Sequence, residues 1–117
     1  MTTYVVDASI VLKWLREEQG SEEARALARA SLVAPRLLYL EVISVAARKW
    51  HWQEQALLEL GRQLEQSSVA LDEPPLAGIV RWAARGLTAY DASYVALAEA
   101  YGCRLVTADA DILELAA

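Results

Sequence analysis

Four acidic side chains stand where the surrounding sequence is apolar: Asp7, Glu41, Asp91 and Asp109. Asp7 is the only charged side chain before Lys13 and follows the run YVV, while Asp109 directly follows LVTA. Glu41 is the only charge from Leu37 through Ala47, and Asp91 the only one from Gly86 through Ala98. An isolated carboxylate is costly to bury unless it is paired, hydrogen-bonded or bound to a cation. Gathered together, such acids form an all-oxygen cage suited to Mg2+ or Mn2+, with the remaining coordination positions left to water or phosphate oxygens. That chemistry is phosphate-ester hydrolysis. The metal neutralises charge developing on the phosphate and acidifies a bound water, an unligated carboxylate accepts the proton, and no serine or cysteine nucleophile is needed.

Taken singly, three of these acids have a structural explanation. Asp7 can cap a helix starting near Ser9, Asp109 can cap a short final helix, and Asp91 lies three residues after Thr88 as in a capping box. Glu41 differs, because it falls inside a long helical stretch. Its neighbours at helical spacing, Leu37, Leu38, Ser44 and Val45, offer no ion pair.

The elements that must position these acids alternate between strand and helix. Tyr4 to Val6, Leu32 to Ala34, Val69 to Leu71 and Arg104 to Thr107 read as short strands. They are continuous apolar runs, as in a buried parallel sheet. Helical patterns cover Ser9 to Arg16, Ser21 to Ala30, Arg36 to Trp50, Gln53 to Gln66, a stretch from Pro75 to Gly86, and about Tyr90 to Tyr101, with a last short helix near Asp111 to Leu115. Leu57, Leu60 and Leu64 give the fourth helix its stripe, weakened by Gly61. The expected fold is a three-layer α/β domain, one domain over residues 1–117, with a short parallel sheet of about four strands flanked by helices. Such sheets place their sites outside the carboxyl ends of the strands, near the switch in strand order, where Asp7 and Asp109 would converge.

Composition narrows the function. A net charge of −5 argues against a broad electrostatic nucleic-acid binder, so any such role must come from a local site. A single cysteine, Cys103, excludes an internal disulfide and a cysteine-based zinc site. No opening signal-peptide pattern and no long uninterrupted apolar stretch is present, which gives the expectation of a soluble, cytoplasmic protein.

With these residues in hand, the sequence resembles the PIN-domain family, and most closely its small VapC-type toxin ribonucleases. The resemblance runs through VVDASI with Asp7 and Ser9, Glu41 after Pro35, YDASYVALAEAYG with Asp91, and LVTADADI with Thr107 and Asp109. No one of these motifs is specific, but the ordered set in a chain this short is. The resemblance implies that Asp7, Glu41, Asp91 and Asp109 surround one or two divalent ions, Mg2+ or Mn2+, and cleave RNA phosphodiesters. It also implies that the Ser9 and Thr107 hydroxyls order the pocket, with Asp111 in a supporting place. It further implies a homodimer inhibited by a cognate VapB-type antitoxin, the two forming a type II toxin–antitoxin pair. Relatives usually continue past the segment matching LVTADADI into a further edge strand, whereas this sequence stops at Ala117, so that last strand is left open.

Other residues admit plainer readings. Trp50, His51 and Trp52 form an aromatic cluster that could stack on bases, but the end of a helix packing at the core margin or at a dimer contact suits it better. Trp14 and Trp82 read as core or interface, Cys103 as a small core residue, and Arg16, Arg81 and Arg85 as solvated charges able to steer a phosphate backbone. The competing function is a catalytically idle PIN-like module that binds a protein partner through its acidic pocket. A receiver-like phosphoacceptor domain is a weaker rival: no acid pair follows the first strand, and Lys49 is the last lysine.

Overall fold

The computed structural model describes residues 2–16, 19–108 and 112. The chain runs β1 (Thr3–Val6), α1 (Ala8–Leu15), α2 (Ser21–Leu27), β2 (Ser31–Ala34), α3 (Leu37–Arg48), α4 (Glu54–Gln66), β3 (Ala70–Leu71), α5 (Leu76–Ala84), α6 (Ala89–Tyr101) and β4 (Arg104–Val106). All strand pairs are parallel, in the order β3-β2-β1-β4. The register sets Val5 against Val33 on one side and against Leu105 on the other.

This order fixes where a site can form. From β1 through β2 to β3 the chain steps in one direction, and from β3 it crosses back to place β4 beside β1. Right-handed crossovers then put α1 to α4 on one face of the sheet and α5 and α6 on the other. The packing groups in the same way: α1 lies against α2 and α3, α3 against α4, and α5 against α6. The switch in direction falls between β1 and β4, so the residues leaving these two strands flank the crevice that such folds use for ligands.

The helix ends follow local chemistry. Asp7 caps α1, its side chain accepting from the Ser9 backbone N–H, and Thr88 caps α6 by accepting from the Asp91 N–H. Gly102, at φ 62°, closes α6 in the left-handed conformation that glycine tolerates. Within α3, Leu38, Val42 and Ala46 recur at a spacing of one helical turn and are buried. The helix α6 is different, being buried continuously from Ala92 through Ala98. It packs on β1, β4 and α5.

Several boundaries differ from the sequence expectation by a few residues. The chain leaves α2 at Leu27 through a tight turn, with Ala30 N–H donating to the Leu27 carbonyl, and β2 begins at Ser31. At the end of α3, Trp50 N–H reaches back to the Val45 carbonyl and His51 takes a left-handed φ of 57°. That turn stops the helix at Arg48 and folds Trp50 and Trp52 onto the core margin. Gly61 does not interrupt α4. The final helix expected near Asp111 to Leu115 and any further edge strand lie outside the described residues, apart from Ile112, which is helical and buried against Trp82, Leu87, Ala92 and Val95.

Candidate active site

Asp7 leaves β1 at the switch point and is 4% exposed. Its burial is compensated by a dense set of donors. Oδ1 accepts from the Ser9 backbone N–H at 3.1 Å and from the Ser9 hydroxyl at 2.5 Å, while Oδ2 accepts from the Thr107 hydroxyl. The Ser9 oxygen in turn accepts from the Ala108 backbone N–H at 2.9 Å. Two hydroxyls thus tie the end of β1 to the segment after β4. Thr107 can do so because β4 ends at Val106, which frees the next residue from the ladder.

Glu41, on α3, is half-buried and its Oε1 accepts from the Tyr94 hydroxyl at 2.5 Å. Tyr94 lies on α6, one helical turn beyond Asp91, so this bond joins the two helical layers. The Tyr94 phenol is raised well above the ordinary tyrosine range. Burial is the main cause, followed by the hydrogen bond to Glu41 and then by the negative charges of Glu41, Asp7 and Asp91. One buried hydroxyl therefore lies in the combined field of three of the acids. Asp91 itself is half-buried in the first turn of α6, where the helix N-terminus favours negative charge.

The structural readings of Asp7 and Asp91 hold: one is a helix cap, and the other follows a threonine cap at the capping-box distance. Capping as such takes only one of the roughly four lone-pair sites of an ionised carboxyl group. Asp109 and Asp111 lie outside the described residues. Among the described residues, no three of His, Cys, Asp and Glu lie close enough to hold one metal ion together. The donors present are nonetheless carboxylate oxygens, and Mg2+ needs only one or two of these when water completes its shell. The donor set fits a hard divalent cation.

Tyr94 is the site residue that sequence reasoning missed. It sits in the segment YDASYVALAEAYG, three residues after Asp91, and that spacing on a helix was the available signal. The remaining candidates lie elsewhere. Trp50 and Trp52, with ring centroids 5.4 Å apart, cluster at the far end of α3 from Glu41, with Arg16 stacked 4.7 Å over Trp50. Arg85 stacks on Trp82 at 4.6 Å, Arg81 approaches Glu99 at 3.7 Å, and Trp82 donates its indole N–H to Glu99. Trp14 donates to the Ala24 carbonyl at the core margin. Cys103 is a half-buried free thiol against the core. Among the described residues, no helix is long and apolar enough to cross a membrane.

Comparison with known proteins places this geometry in context. The model of the PIN domain family matches residues 4–117. Ribonuclease VapC9 of Mycobacterium tuberculosis is 38% identical over 110 residues, covering 90% of this chain and 84% of that protein. Among solved structures, PAE2754 from Pyrobaculum aerophilum superposes with a TM-score of 0.71 at 31% identity, covering 97% of this chain and 84% of the other. VapC20 of Mycobacterium tuberculosis, described as a sarcin-ricin loop cleaving toxin, superposes with a TM-score of 0.74 over 95% of this chain and 93% of its own, at 15% identity, which is a likeness of fold.

Proposed function

The chain belongs to the PIN-domain family, and from that premise we propose that it is a divalent-metal-dependent endoribonuclease, hydrolysing RNA phosphodiester bonds as the toxin of a type II toxin–antitoxin pair. The observation that carries this reading is the buried Asp7 carboxylate at the switch point between β1 and β4, held by the Ser9 and Thr107 hydroxyls, with Glu41 bonded to Tyr94 one helical turn from Asp91. The similarity to proteins named VapC ribonuclease supports it.

In this reading Asp7, Glu41, Asp91 and Asp109 would hold Mg2+ or Mn2+. The ion supplies charge neutralisation at the scissile phosphate and a water acidic enough to attack at neutral pH. The protein's own part is positional and electrostatic. The Ser9 and Thr107 hydroxyls hold the Asp7 carboxylate in one orientation at the strand end. A carboxylate not engaged with the ion accepts the proton of the attacking water. Asp111 would take a supporting place in the pocket. The partners proposed are an RNA substrate, a VapB-type antitoxin and a second copy of the chain, in the cytoplasm; sedimentation of a monomer at micromolar concentration would remove the homodimer.

The test is cleavage of a pool of structured and single-stranded RNA with Mg2+ or Mn2+, beside EDTA and an Asp7→Asn, Asp91→Asn double variant. Cleavage that needs metal and vanishes in the variant is expected. Wild type and variant equally silent, with metal still bound by the wild type, would instead favour an idle module that recognises a protein partner.

A further inference from the structure

We propose that Tyr94 is a positioning residue for Glu41, its phenol hydroxyl fixing the orientation in which that carboxylate meets a divalent cation. The inference rests on the metal-site reading above and deepens it.

Tyr94 is 1% exposed and belongs to the main hydrophobic cluster, so its ring is fixed by packing. Packing alone would be served as well by phenylalanine. A hydroxyl at that depth is costly unless it is hydrogen-bonded, and here it meets Glu41 Oε1 at 2.5 Å, the length of a charge-assisted bond. The direction of the bond is settled by chemistry: the neutral phenol can donate and the carboxylate can only accept. Glutamate is a long, flexible side chain whose ordering is entropically unfavourable. A donor anchored in the core of α6 restricts that freedom on α3 before any ligand arrives. The bond from Tyr94 occupies one of the roughly four lone-pair sites of an ionised carboxylate. Groups that orient metal ligands in this way typically change metal affinity by about 10- to 100-fold when removed.

The experiment is calorimetric titration of the full chain with Mn2+ alone, for wild type, Tyr94→Phe, Glu41→Gln and the double variant, with a thermal melt of each. Tyr94→Phe is expected to weaken Mn2+ binding by about tenfold or more, and to add less than about twofold in the Glu41→Gln background, because the phenol acts through that carboxylate. Binding within about twofold of wild type, or equal losses in both backgrounds, overturns the proposal while leaving the metal site intact. Failure of the wild type to bind Mn2+ removes the metal site itself and this inference with it. A second measurement does not depend on Tyr94→Phe folding. The hydrogen-bonded phenolic proton, identified by NMR through its loss in Glu41→Ala, which removes the acceptor, is expected to persist on saturation with Mg2+. Its loss on Mg2+ binding would show that Tyr94 does not hold Glu41 in the loaded state, which overturns the proposal.

Discussion

The Thr107 hydroxyl donates to Asp7 Oδ2 across 100 positions of sequence, joining the residues that follow two adjacent parallel strands. The pairing of Val6 with Val106 brings the next residue of each strand to the same edge, and there the two meet. Thr107→Val keeps the shape of the side chain and removes the donor. Losing a hydrogen bond to a buried charged group is expected to reduce stability by about 1–3 kcal/mol, read as a lower urea midpoint at unchanged slope. Thr107→Ser should recover most of the loss.

Asp7→Asn separates capping from chemistry. Asparagine caps helices about as well as aspartate, so α1 should persist, and the loss of stability should be confined to the bond from Thr107, about 1–3 kcal/mol. The negative charge is lost, and with it several kcal/mol of transition-state stabilisation, so RNA cleavage should fall by at least about 100-fold. Thr88→Ala is the reciprocal case. It removes the cap of α6 and is expected to destabilise by about 1 kcal/mol, while Asp91 keeps its carboxylate and cleavage falls by less than about tenfold. Paired melting and cleavage measurements on both variants decide the matter; equal losses of activity would mean that cleavage depends on the Thr88 cap as strongly as on the Asp7 charge.

The candidate site was legible to the extent that its parts obey local rules. Isolated charges in apolar runs marked Asp7, Glu41 and Asp91, since burial makes an unexplained carboxylate conspicuous. Short apolar strands alternating with helices gave a parallel sheet, and with it the edge where Asp7 and Thr107 meet. Tyr94 was not legible in the same way, because a tyrosine in an apolar helix reads as core and its hydroxyl partner, Glu41, lies 53 positions away. The end of α3 escaped for a related reason: Trp50 continues the apolar pattern, and only the fold shows it turning back through His51 onto the core.

Gly61 tests the energetics of α4 free of the site. It lies within the helix, and a Cβ added there would meet nothing within 4 Å. Alanine is favoured over glycine in a helix interior by about 1 kcal/mol. Gly61→Ala is therefore expected to raise stability by about 0.5–1 kcal/mol in urea unfolding, with RNA cleavage unchanged. A loss of stability would mean that the helix is not continuous through this position.

Tyr94 makes stability depend on alkaline pH. Burial, the bond to Glu41 and the charges of Glu41, Asp7 and Asp91 all raise its phenol above the ordinary value, whereas in the unfolded chain it titrates near about 10. Above that pH the unfolded chain has lost a proton that the folded chain keeps, so the free energy of unfolding falls as pH rises. The contribution is complete below about pH 10 and is lost progressively above it, by up to about 1.4 kcal/mol per pH unit for a single proton. Tyr94→Phe lacks this dependence. Tyr101, raised by its hydrogen bond to Asp72, is exposed and common to both proteins, so it cancels in the comparison. The stability difference between wild type and Tyr94→Phe, measured by urea unfolding at about pH 9 and about pH 11, should accordingly shift against the wild type at the higher pH by about 1 kcal/mol. A difference that stays constant would mean that the phenol titrates alike in both states, and that the acids do not act on it as their placement requires.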